Sequence, residues 1–115
     1  MKFDSSIKDN VLKIQLQGDL IGENSGLELV DFVNDKINDS VVLCAIDLSG
    51  VRYMNSSGIG VLITLLTKFR NKGGEVVLIN PSDQIKKLLI ITKLNSIFSI
   101  VDSEEEAIST LKKAK

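Results

Sequence analysis

Between Val11 and Gln17 the chain alternates, with Leu12, Ile14 and Leu16 set against Val11, Lys13, Gln15 and Gln17. That period of two predicts a half-buried strand. Phe3 to Lys8 is a second short β-type run, and Asp9-Asn10 between the two is a hairpin-turn signal. Residues 24–38 change period: Leu27, Val30, Phe32, Val33 and Ile37 recur at mostly helical spacing among acidic and polar positions. Val41 to Leu48 is then a continuous apolar run, short and β-rich, as expected of a strand covered on both faces. Residues 56–71 predict a helix with Ile59, Leu62, Ile63, Leu66 and Phe69 on one wide face, broadened by Val61 and Leu65. Gly73 follows as its C-terminal cap.

The remaining pattern predicts a strand at Glu75 to Ile79, a helix from about Ser82 to Thr92, and a strand at Ile97 to Val101. A last helix opens at Ser103, where Glu106 three residues on completes a capping-box signature; its core face is Ala107, Ile108 and Leu111. After the opening hairpin the order is strictly alternating, β-α-β-α-β-α-β-α. That order predicts an α/β fold with a mainly parallel mixed sheet of four to five strands and about four helices, in one domain over residues 1–115. Function in such sheets favours the carboxyl ends of the parallel strands. The loops expected there are Gly18 to Asn24, Gly50 to Asn55, and Asn80-Pro81-Ser82.

Composition narrows the chemistry. A hydrophobic fraction of 43% supports a real core, and a net charge of −1 gives no footprint for nucleic acid or an anionic membrane. The single cysteine, Cys44, excludes an internal disulfide and suits a reducing compartment. No signal-peptide pattern opens the sequence, and no apolar run is long enough to span a bilayer, so a cytoplasmic protein without membrane insertion is expected. The sequence has no histidine, which removes histidine triads, imidazole proton shuttles and most zinc sites together. Neither a metal nor a cofactor is expected.

The most unusual segment is Asn55-Ser56-Ser57-Gly58-Ile59-Gly60. Three good N-caps in a row exceed what one helix start needs. Two glycines in a first turn each cost about 1 kcal/mol against alanine, and offer in return a backbone open to close approach. A helix start also suits an anion. Two readings follow: a polar cap with glycines packed against a neighbouring element, or a phosphorylated serine on a surface where another protein docks. On the second, Gly58 serves docking more than folding, and Gly58→Ala is expected to keep or raise stability.

Asp47 to Leu62 as a whole resembles the signature of STAS domains, especially bacterial anti-sigma-factor antagonists. Gly18-Asp19-Leu20 resembles that family's Gly-Glu-Leu, while Lys72-Gly73-Gly74 and Asn80-Pro81-Ser82 resemble its later turns. Thr92-Lys93-Leu94 with Ile97-Phe98 resembles its final helix-to-strand passage. The resemblance implies a binding switch, not an enzyme. Unphosphorylated, such a protein binds an anti-sigma factor, often an ATP-dependent serine kinase, and so frees a sigma factor. Phosphorylation releases the kinase and a serine phosphatase resets the cycle. The phosphoacceptor maps onto Ser56, with Ser57 as second choice. The partner-facing surface expected from this joins Ile21, Gly22, Glu23 and Asn24 to Asn55, Ser56, Ser57, Gly58 and Ile59. Asn55 replaces a common Asp, Ile21 a common acidic residue, and Lys93 a usual Gly.

Other features carry less. Gly58-Ile59-Gly60 begins like a dinucleotide fingerprint, but Ile63 occupies the third glycine position. Cys44 reads as a small buried hydrophobe, Asp47 as an acceptor for loop amides, and Glu104-Glu105-Glu106 as complementing a helix dipole. The alternatives are a STAS subunit of a lipid-transport or stress-signalling assembly, and a serine hydrolase or transferase acting through Ser56. Against the last stand the missing histidine and the lack of a base in the motif.

Overall fold

Asp9 and Asn10 both take positive φ, 55° and 65°, the requirement of the tight hairpin turn that matches strand twist. They join β1 (Lys2–Lys8) to β2 (Val11–Leu20) as an antiparallel pair. In this computed structural model, which describes residues 2–21, 24–38 and 41–113, the remaining elements alternate. They are α1 (Asn24–Asn38), β3 (Leu43–Met54), α2 (Ser56–Asn71), β4 (Glu75–Ile79), α3 (Asp83–Ile91), β5 (Ser99–Val101) and α4 (Glu104–Lys113), with a 3₁₀ turn at Leu94–Ser96 before β5. The five strands form one sheet in the order β1-β2-β3-β4-β5, and every pair after the first is parallel.

The apolar run at the start of β3 divides by parity. Cys44, Ile46 and Leu48 join the larger core with α1, α2 and α3, while Leu43 and Ala45 meet Ala107 and Leu111 of α4 on the opposite face. Alternate side chains point to opposite faces of a strand, so such a run needs cover on both. No helix among the described residues is long and apolar enough to cross a membrane.

Two expectations about strand ends are corrected. Gly50 to Met54 and Gly18 to Leu20 are not loops; they belong to strands β3 and β2, and of the expected second loop Asn55 alone lies outside the strand. Gln15 lies opposite Asp47 and Gln17 opposite Gly50, so Leu48 and Ser49 together oppose Leu16. The Ser49 amide donates to Asp47 Oδ1 at 2.9 Å, which stabilises this bulge. A second irregularity follows, where Gly18 has φ 98° and Arg52 is the extra residue; Arg52 reaches Asp19 at 3.2 Å. Turn-forming residues thus mark bulges here, and β3 runs on to Met54.

Two helical faces also shift. On α1 the buried residues are Leu29, Val33 and Ile37, whereas Leu27 is 64% exposed. On α2, Ile63 points outward, leaving Ile59, Val61, Leu62, Leu65, Leu66 and Phe69 inside. Gly73 caps α2 as expected: its φ is 81°, its amide donates to the Arg70 carbonyl, and the Gly74 amide donates to that of Phe69, a Schellman arrangement.

Candidate functional site

The site forms where β2 and β3 end side by side. Leu20 pairs with Met54, and the next residue of β3's path, Asn55, caps α2. Its side-chain oxygen accepts from the Gly58 amide at 2.9 Å, and its carbonyl accepts from the Ile59 amide at 3.0 Å. Asn55 has extended backbone angles, φ −106° and ψ −176°, as an N-cap should. Of the three possible caps, Asn55 takes the role. Ser56 and Ser57 become the first two helical residues. Both are exposed, and among the described residues neither hydroxyl nor either amide is engaged in a hydrogen bond. Their free N–H groups lie at the positive end of a 16-residue helix, an arrangement that can satisfy an anion on either serine.

Gly58 behaves differently from expectation. It is buried, and a Cβ here would overlap the Leu20 carbonyl oxygen and press on the Met54 side chain. The glycine therefore lets α2 settle onto the end of β2, and a side chain at position 58 would force that backbone to shift. Open space lies over Gly60 instead, with nothing within 4 Å of a built Cβ. Ile59 is buried in the main core and fixes the helix from below.

The other expected contact residues come from the end of β2. Ile21 is 43% exposed, an apolar side chain left in solvent beside the serines' strand neighbour. Gly22 and Glu23 lie outside the described residues, and Asn24 is described only as the first residue of α1. A feature the sequence pattern does not reveal is the exposure of Tyr53, 49%, one residue before Met54. Ile21 and Tyr53 are thus exposed one residue from the Leu20–Met54 pair that ends the ladder. Among the described residues no cluster of three metal-ligating side chains occurs. Burial pushes the Cys44 thiol well above its ordinary range, so it stays neutral inside β3.

Fold and site together define a small α/β domain that displays a serine-bearing helix start at the carboxyl edge of its sheet. The chain belongs to the STAS domain family, whose model matches residues 2–107. It is 37% identical over 71 residues to the anti-sigma-B factor antagonist of Listeria monocytogenes, an overlap of 62% of this chain and 61% of that one. To the anti-sigma F factor antagonist of Paenibacillus polymyxa it is 27% identical over 104 residues, covering 88% and 86%. The fold is similar to the crystal structure of a Thermotoga maritima protein provisionally named an anti-sigma factor antagonist. That match has a TM-score of 0.87 at 26% identity, over 96% of this chain and 94% of the other. It is also similar in fold to the anti-sigma factor antagonist SpoIIAA in its unphosphorylated form, TM-score 0.76 at 21% identity over 96% and 98%.

Proposed function

We propose that this domain is an anti-sigma factor antagonist that binds an anti-sigma factor through the Ser56 surface and lets go when Ser56 is phosphorylated. The observation that carries the reading is the division of labour at the start of α2. Asn55 closes the helix, which leaves the Ser56 hydroxyl exposed and unengaged among the described residues. Relatives named as antagonists of anti-sigma-B and anti-sigma F factors support the partner class. The same fold accommodates both an unphosphorylated and a phosphorylated form in SpoIIAA.

The physical mechanism is local. A phosphate adds about −1.5 to −2 charge, and the free amides of Ser56 and Ser57 can meet its oxygens. The domain stays folded, whereas a partner lying over Ser56 must bury the new charge or withdraw. The partner is an anti-sigma factor with serine kinase activity, and a serine phosphatase restores the binding form.

Reconstitution with the cognate kinase and ATP tests this. One phosphate is expected, located on Ser56 by mass spectrometry and absent in Ser56→Ala, with loss of the kinase from the complex. Phosphate on Ser57 would move the switch by one residue. Capture of a transport or multi-subunit assembly insensitive to ATP would replace the reading with a scaffold role.

A further inference from the structure

β1 is one edge of the sheet, and among the described residues no strand covers its outer side. The opposite edge, β5, is only three residues long, a usual way to keep an edge from recruiting another strand. β1 has seven residues, no proline and an unbroken register with β2 from Lys2 to Lys8. The hairpin turn decides which of its backbone groups are free. In a two-residue loop the flanking pair, here Lys8 and Val11, exchanges both hydrogen bonds. Bonding alternates from there: Lys8, Ser6, Asp4 and Lys2 bond to β2, while the amides and carbonyls of Ile7, Ser5 and Phe3 point outward. Asp4 and Lys8 lie on the sheet face shared with Lys13 and Gln15, and among the described residues neither forms an ion pair. Lys13, opposite Ser6, is held by Glu104 at 3.2 Å. On the other face Ile7 is 49% exposed, although Leu12 opposite it is fully buried.

We infer that β1 pairs with β1 of a second copy of this chain, antiparallel about a two-fold axis at Ser6. A two-fold strand pair sets outward-bonding residues opposite one another, so the axis passes through a residue of β1, and charge selects which. Centred on Phe3 or Ile7, only that residue's own bonded pair remains. Centred on Asp4, the two Asp4 carboxylates meet; centred on Ser5, the longer overlap sets Lys2 against Lys8 of the second copy at both ends. Like charges directly opposite are destabilising. Centred on Ser6, Asp4 of each copy lies opposite Lys8 of the other, in the pair type with the closest side chains. Ser5 of each copy then exchanges both backbone bonds with Ile7 of the other. Phe3 stands diagonal to the second copy's Ile7, within reach of an aromatic ring, which gives the exposed isoleucine an apolar neighbour. A lysine on an edge strand ordinarily repels a second strand; here Lys8 meets an aspartate. Ser6 pairs with Lys13, about 20 Å along β2 from its Leu20 end. The seam therefore forms whether or not Ser56 is occupied, and does not rest on the proposed function.

The test follows the ¹⁵N-labelled chain from about 0.05 to 2 mM, the range that a contact this small populates. The Ser5 and Ile7 amides are expected to shift and gain exchange protection with concentration. Those of Asp4, Ser6 and Lys8, bonded to β2, should be protected throughout. Ser5→Pro removes an outward donor from an edge strand, where proline is tolerated, so the monomer should stay folded and the shifts disappear. Asp4→Lys and Lys8→Asp should each weaken association by about threefold or more, and the two together should restore it. Ser56→Asp should change nothing. The inference is overturned by a chain that sediments as a monomer at the highest concentration, or by concentration-dependent shifts confined to other elements. It is equally overturned if the double exchange fails to restore association, or if Lys8→Asp tightens it, as the register centred on Ser5 requires.

Discussion

The Leu20 carbonyl oxygen occupies the space that a Cβ on residue 58 would need. This contact, between the last residue of one strand and the third residue of a helix, fixes the serines relative to the sheet. Gly58→Ala should therefore cost stability despite alanine's better helix propensity. Overpacking of this kind costs about 1–3 kcal/mol, and backbone rather than a flexible side chain stands in the way. Gly60→Ala, with open space above it, should be neutral or gain up to about 1 kcal/mol. Urea midpoints of the two variants decide it; a Gly58→Ala protein as stable as the parent would refute the contact.

Asn55→Ala should lower stability by about 0.5–2 kcal/mol through loss of the cap to the Gly58 amide. Asn55→Asp keeps the acceptor and adds a charge favoured at a helix start, so at pH 7 it should match or slightly exceed the parent. That gain is present above the carboxyl's unfolded pKa and is lost as pH falls through its lower folded value. Thermal melts at pH 7 and pH 3 separate the two effects.

Phosphorylated domain, Ser56→Asp, Ser56→Ala and the parent should share one circular dichroism spectrum and melt within a few degrees of each other. Their affinities for the anti-sigma partner should differ widely. A penalty of about 3 kcal/mol corresponds to roughly a hundredfold weaker binding of the phosphorylated form, with Ser56→Asp intermediate and Ser56→Ala unimpaired. Equal affinity of phosphorylated and unmodified protein removes Ser56 as the release point.

Cys44 should resist iodoacetamide in the folded protein at pH 8.5 and react once per chain in urea. Because burial raises its folded pKa, the neutral thiol's contribution is complete below the unfolded value and is lost as pH rises. Above about pH 8.5 the loss from this group approaches 1.4 kcal/mol per pH unit. Cys44→Ala should show a shallower alkaline slope of unfolding free energy than the parent.

Lys93 holds φ at 63° just after α3, in the left-handed region where a lysine side chain is strained and a glycine is not. Lys93→Gly should raise stability by up to about 1 kcal/mol, the relief of strain being partly offset by a more flexible unfolded chain. An unchanged or lowered melting midpoint would show that the lysine stem contributes packing that outweighs the strain.

The element order, the five-strand sheet and the α2 boundaries were legible because periodicity and caps are local signals. Ser56–Asn71 agrees with the predicted 56–71 to the residue, since Gly73 marks its end and Asn55 is the first of three residues able to cap its start. Bulges were not legible: Gly50 and Gly18 read as the starts of loops, yet the ladder continues past them to Met54 and Leu20. On α1, Leu27 and Leu29 both suit a helical stripe, and only the placement against β2 and β3 selects Leu29. The serine start itself was readable from its residues. The role of Gly58 was not, because a glycine open to a partner and a glycine pressed on a carbonyl look alike in one dimension. Tyr53 gave no signal, being a single aromatic at the end of a strand.

The Leu20–Gly58 contact also divides the surface into two evolutionary regimes. Positions 20 and 58 answer to folding, so any drift there is felt by every molecule whether or not it meets a partner. Ile21 next door, and Tyr53 and Ile91 beyond, have solvent-facing side chains and can be exchanged with little effect on the scaffold. New binding preferences can therefore arise by changing the rim while the Ser56 hydroxyl stays where the scaffold holds it.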